Sequence, residues 1–100
     1  MASVCKRSDV PAGGMKIVEV GGVRIAICDV QGTLYAIQDV CTHDDAPLGE
    51  GSLEGDSVVC SRHGGRFDVK TGAATQMPAI VPVKTFKVLV DGDDVSLEGV

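Results

Sequence analysis

Cys41-Thr42-His43-Asp44-Asp45-Ala46-Pro47-Leu48, with sixteen residues between His43 and the Cys60 of Cys60-Ser61-Arg62-His63-Gly64-Gly65-Arg66-Phe67-Asp68, decides how this chain is read. The two stretches hold both histidines of the sequence and two of its four cysteines. A thiolate is a soft ligand and an imidazole a borderline one, so Cys41, His43, Cys60 and His63 form a metal-ligand set. Each half contributes one sulfur and one nitrogen, which a structural zinc site could also use. The glycines argue for something larger. Gly64-Gly65 follow His63, and Gly49 and Gly51 lie in the first loop, where backbone can pack closely against a bulky group.

Outward from this centre the chain reads as strands. Thr33 to Val40 runs directly into Cys41, so the first ligand pair sits at a strand end. Before it, Val23, Ile25 and Ile27 alternate with Arg24, Ala26 and Cys28, the period of a strand. Gly21-Gly22 is a two-residue hairpin signal after Met15–Val20, and Gln31-Gly32 marks a second turn. Residues 41 to 56, with Pro47 and several acids, are expected to be loop. Short strands follow at 57–59 and 66–69, with a turn at Lys70-Thr71-Gly72. Beyond Pro78 and Pro82, Val83 to Val90 is the clearest strand, with Phe86, Val88 and Val90 on one side. Asp91-Gly92-Asp93 turns it onto Val95–Leu97. Residues 1–10 are polar and mixed, a short lead-in strand or loose arm. No helical period persists, so an antiparallel all-β sandwich or barrel is expected.

Composition narrows the function classes. One hundred residues make a single domain, 1–100, near the size at which one core suffices. With three aromatic residues and no Trp, the core must be built from Val, Ile, Leu and Ala. Tyr35 and Phe67 are expected in it, and Cys28 as a small buried hydrophobe. Cys5 is expected to be a free thiol. A net charge of −5 argues against nucleic acid and suits partners with basic patches. No membrane span or secretory leader is evident, which predicts a cytoplasmic protein, where grouped Cys and His point to metal rather than disulfides.

Cys-x-His, a spacer of sixteen and Cys-x-x-His resemble the Rieske iron–sulfur signature. The flanks resemble it too: Ala46-Pro47-Leu48, Leu53-Glu54-Gly55-Asp56, Gly64-Gly65-Arg66-Phe67-Asp68, Thr71-Gly72 and Pro78-Ala79, across about residues 14 to 98. Ser61 departs from the proline common after the second cysteine. The resemblance implies a β-sandwich or barrel with an inserted cluster-binding subdomain at approximately 40–68. It implies a 2Fe–2S cluster with Cys41 and Cys60 on one iron and His43 and His63 on the other, the two histidines at the tip of the molecule.

Mixed ligation sets the charge. Two ferric ions, two sulfides and two thiolates cancel when neutral imidazoles complete the set, whereas four thiolates leave a dianion. A neutral centre accepts an electron more readily, at roughly −150 to +300 mV against about −400 mV for plant-type ferredoxins. High-potential members carry extra loop cysteines and a serine where this chain has Asp44-Asp45, Arg62 and Gly65, which predicts the low end. Both histidines being used, none remains for the mononuclear iron of an oxygenase, and no nucleotide-binding glycine motif is present. The chain is therefore expected to be no enzyme. It resembles the free-standing ferredoxins that pass electrons from a flavin-dependent reductase to a terminal oxygenase of aromatic hydrocarbon catabolism, acting transiently and as a monomer. A fixed subunit of a larger oxidoreductase and a zinc-stabilised interaction module are the alternatives. Asp44, Asp45, Arg62 and Arg66 are solvated loop charges or partner contacts.

Overall fold

The computed structural model describes residues 3–40, 51–60, 64–76 and 82–98. Among the described residues ten strands form two antiparallel sheets. The larger orders as β1 (Cys5–Lys6), β10 (Asp94–Glu98), β9 (Thr85–Asp91), β4 (Thr33–Gln38), β3 (Val23–Val30) and β2 (Met15–Val20). The smaller orders as β5 (Ser52–Glu54), β6 (Ser57–Val59), β7 (Arg66–Asp68) and β8 (Ala74–Gln76). The whole smaller sheet lies between β4 and β9, which pair directly through Ala36↔Phe86 and Ile37↔Thr85. No helix among the described residues is long and apolar enough to cross a membrane.

Turn chemistry fixes the register of the first meander. Val20 pairs with Val23 across Gly21 (φ 59°) and Gly22 (φ 83°). Val30 pairs with Thr33 across Gln31 (φ 51°) and Gly32 (φ 89°). Two central residues at positive φ twist a hairpin in the sense its strands require. Gln31 is the one non-glycine at positive φ among the described residues. The Asp29 carboxylate helps hold that turn by accepting the Gly32 N–H at 2.8 Å.

The alternation in β3 divides two cores rather than a core from solvent. Ile25 and Ile27 join Val10, Leu34, Ala36, Phe86, Val95 and Leu97 in one cluster. Val18 and Val20 of edge strand β2 and Cys5 of edge strand β1 pack on that same cluster, so the six-stranded sheet curls into a nearly closed barrel. Ala26, Cys28 and Val30 point the other way, into a second cluster with Ile37, Val58, Cys60, Phe67, Val69 and Val83. The smaller sheet therefore packs on the outer face of β2–β4 (Met15, Ile17 and Tyr35 also contribute). This is why every residue from Ile25 to Val30 is buried.

Three expectations change. Residues 52–54, placed in loop, form β5, because Leu53 pairs opposite Val58 and packs on the second core. The strand expected over 66–69 ends at Asp68, and β8, with only Ala74 turned toward that core, was not anticipated. Phe86 is buried and Val88 half-buried, but Val90 is 51% exposed, since the barrel interior ends before it. Of the two readings of the N-terminal segment, the lead-in strand holds, as β1 followed by a 3-10 turn at Arg7–Asp9. Val4 N–H donates to the Val95 carbonyl at 2.7 Å, Arg7 N–H to that of Asp93 at 2.7 Å, and Val10 is buried.

Gly72 stitches the smaller sheet to the chain entering β9. Its N–H donates to the Asp68 carbonyl at 2.7 Å, and its own carbonyl accepts from Val83 N–H at 2.8 Å. Its φ is +81°, and a Cβ would run into the Val83 carbonyl oxygen. Gly72→Ala is expected to cost about 3 kcal/mol, adding left-handed strain to overpacking. Gly21→Ala, at φ +59° with open space around it, should cost about 1 kcal/mol. Urea unfolding checks this: equal midpoints for the two variants would contradict the stitch.

Candidate metal centre

The first ligand arm is aimed by the end of β4. Gln38 N–H donates to the Lys84 carbonyl at 2.8 Å, Asp39 N–H to that of Arg24 at 2.8 Å, and Val40 N–H to that of Gln38 at 2.8 Å. The chain is thus bonded on both sides up to the residue before Cys41, and Val40 packs against the second core. Arg24 grips the same bend with its side chain. Its Nε and a terminal nitrogen each lie 3.1 Å from Asp39 Oδ2.

The second arm leaves β6 at Cys60 and is pinned where it starts. Cys60 N–H donates to the Gly65 carbonyl at 2.8 Å, and the Cys60 carbonyl accepts from Gly64 N–H at 3.1 Å. Gly64 sits at φ +73°, where a side chain would be strained, although there is open space around it. Gln76 Nε2, at the end of β8, donates to the Gly64 carbonyl at 3.2 Å. Arg66, one residue past the turn, lies 3.3 Å from Glu54 Oε1 on β5. The Cys60–Gly65 turn is thus braced by backbone bonds and by β8.

Of the four candidate ligands, Cys60 is described: 2% exposed, in no disulfide, and part of the second core. Cys41, His43 and His63 lie outside the described residues, as do Asp44, Asp45, Pro47, Arg62 and Pro78 with the expected tip. Among the described residues no group of three or more metal-ligating side chains comes together. What is described fits an iron–sulfur centre. A free thiol in an apolar wall, on a glycine turn closed by its own backbone, suits a thiolate ligand shielded from water.

Two buried acids went unnoticed in the sequence, Asp29 and Asp39. Asp29 lies 3.3 Å from an Arg7 guanidinium nitrogen, tying the N-terminal segment to the barrel. In sequence both look like polar positions at strand ends. The signal available was a basic residue on a neighbouring segment, which only pairing register could have matched to them.

The remaining thiols are poor nucleophiles. Burial, with a smaller push from the Asp39 charge, raises the Cys28 thiol from 9.0 to about 12. Cys5, half-buried, is raised first by desolvation and then by Asp9. Because the folded state holds the Cys28 proton more tightly, stability is full below pH 9 and falls as pH rises toward 12. The loss should reach the order of 4 kcal/mol. Cys28→Val should fall less steeply in urea midpoints over that window. Parallel curves would contradict it.

An open groove of about 390 Å³ runs beside Tyr35, Val69 and Phe86, rimmed by Lys70 and Lys87. Among the described residues its lining includes no histidine, cysteine or carboxylate.

The family model described as the Rieske [2Fe-2S] domain matches residues 1–87. The chain is 44% identical over 101 residues to the ferredoxin component of biphenyl 2,3-dioxygenase from Rhodococcus jostii (strain RHA1), covering 99% of this chain and 94% of that one. Among solved structures it is similar to the Sphingomonas yanoikuyae B1 ferredoxin, with a TM-score of 0.92, 30% identity and coverage of 98% and 97%. It is also similar to a chain in the complex of reduced oxygenase and oxidized ferredoxin in carbazole 1,9a-dioxygenase. There the TM-score is 0.89 with 39% identity, over 96% of this chain and 90% of that one.

Proposed function

We propose, for a chain that belongs to the Rieske [2Fe–2S] family, that it is a ferredoxin carrying single electrons from a flavin-dependent reductase to a terminal oxygenase of aromatic hydrocarbon breakdown. Near-complete mutual coverage carries this reading: the match spans 99% of this chain and 94% of its ferredoxin relative, so this chain corresponds to nearly the whole of that ferredoxin component. The cluster, one per chain, supplies a one-electron couple when bound.

We assign Cys41 and Cys60 to one iron and His43 and His63 to the other, within a single domain, 1–100, whose cluster-binding part spans approximately 40–68. Cys60 supports this, being buried, free and set on a braced turn. Its position in the wall between the two sheets keeps water from the sulfur, while the bonds at Asp39 and Val40 fix the direction in which the chain enters Cys41. The part of the smaller sheet in this reading is to hold the ligand loops.

A carrier that meets two partners in turn needs weak, small interfaces and rapid release. We read the chain as a monomer for that reason. We place it in the cytoplasm, which the unpaired thiols of Cys5 and Cys28 support, since a reducing compartment keeps them so. Stopped-flow mixing tests the role. Protein reduced by a ferredoxin reductase should give up one electron per chain to a ring-hydroxylating oxygenase, with rates rising linearly in partner concentration. Transfer that occurs only within an isolable permanent complex would favour a fixed subunit instead.

A further inference from the structure

Arg24 and Asp39 form a pair whose two members differ sharply in exposure. Asp39 is 5% exposed, its side chain fully enclosed, while the Arg24 side chain is 55% exposed. Across the β2–β3 register Arg24 faces Glu19, yet its guanidinium lies on Asp39. The two are joined twice, by the 3.1 Å side-chain contacts and by the 2.8 Å bond from Asp39 N–H to the Arg24 carbonyl. That backbone bond carries the β3–β4 ladder one residue past Ile25↔Gln38.

Position makes the pair interesting. Asp39 precedes Cys41 by two residues, so the two Cα atoms can be no more than about 7 Å apart. The carboxylate also acts on the Cys28 thiol, and Cys28 shares the second core with Cys60. A buried negative charge therefore sits close to the first ligand arm, with the Arg24 guanidinium half in solvent beside it.

We infer that Arg24 and Asp39 are potential-setting residues: the enclosed carboxylate holds the cluster's reduction potential down, and Arg24 limits how far. This rests on the ligand assignment made above. Solvent screens the exposed guanidinium more than the enclosed carboxylate, so the pair as a whole disfavours the added electron.

Midpoint potentials of holoprotein variants test this, with visible absorption confirming an intact cluster. Asp39→Asn should raise the reduced-to-oxidised ratio at fixed potential about tenfold, a shift of about 59 mV for a one-electron couple. Arg24→Gln should lower the ratio about threefold, Arg24→Lys should restore it, and the double neutral variant should fall between the single ones. A merely structural pair would move both single variants the same way or neither, and that result with an intact cluster overturns the inference. Should Arg24→Gln fail to fold, Asp39→Asn decides: no rise overturns it. A wild-type cluster without histidine ligation would overturn the ligand assignment and this inference together.

Discussion

Cys60→Ala protein is expected to be colourless, with iron and acid-labile sulfide falling from about two each per chain to near zero. Losing one thiolate leaves an iron open to water, and the other ligand arm cannot close the gap. The barrel should survive this. Its core of Ile25, Ile27, Leu34, Phe86, Val95 and Leu97 does not include Cys60. The second core does, together with Val58, Phe67 and Val69, and in it the sulfur is lost and only the Cβ methyl remains. Hydrogen exchange should therefore remain slow in β3, β9 and β10 and quicken in β5 to β8. Metal binding and folding are coupled where apolar material is scarce, and β5, β6, β7 and β8 are three residues long each. Equal protection of the smaller sheet with and without Cys60 would show that it folds without the cluster.

Phe67→Ala should be the costliest side-chain truncation among the described residues, at about 3–5 kcal/mol. Phe67 is fully enclosed and is the largest such side chain described. It stands opposite Val58 in the β6–β7 pair and in the core that joins the smaller sheet to Ala26, Cys28 and Ile37 of the barrel. Removing the ring opens a cavity between the two sheets, one that short strands cannot relax to fill. Because β7 follows the Cys60–Gly65 turn, cluster loss on heating should also begin at a lower temperature. Denaturant unfolding followed at the cluster's visible band measures both. A cost below about 1 kcal/mol, the range of a surface change, would mean the two sheets do not share this core.

Much of this architecture was legible from residue spacing. Gly21-Gly22 and Gln31-Gly32 announce hairpins because two consecutive positive-φ positions leave few alternatives. The ligand spacing of Cys41, His43, Cys60 and His63 speaks through chemistry rather than propensity, so it survives any uncertainty about strands. β5 and β8 were hidden for the opposite reason. Three residues such as Ser52-Leu53-Glu54 or Ala74-Thr75-Gln76 are too few to show a period, and they become strands only because partners exist. The two-core character of β3 was hidden as well. Alternation of Ile25 and Ile27 with Ala26 and Cys28 looks the same whether the small residues face water or another sheet. Long-range pairing is likewise invisible to local pattern: nothing near Arg24 in sequence points to Asp39, and nothing near Arg7 points to Asp29.

The ligand assignment is open to one measurement that uses an accident of composition. The chain has two histidines, His43 and His63, so protein grown on nitrogen-15 histidine reports on those two side chains alone. Pulsed electron-spin resonance of the reduced protein should show two directly coordinated labelled nitrogens on one paramagnetic centre, with the oxidised protein silent. Zinc in place of iron, or a 2Fe–2S signal with no strong coupling to labelled nitrogen, would contradict mixed ligation and the electron-carrier account built on it.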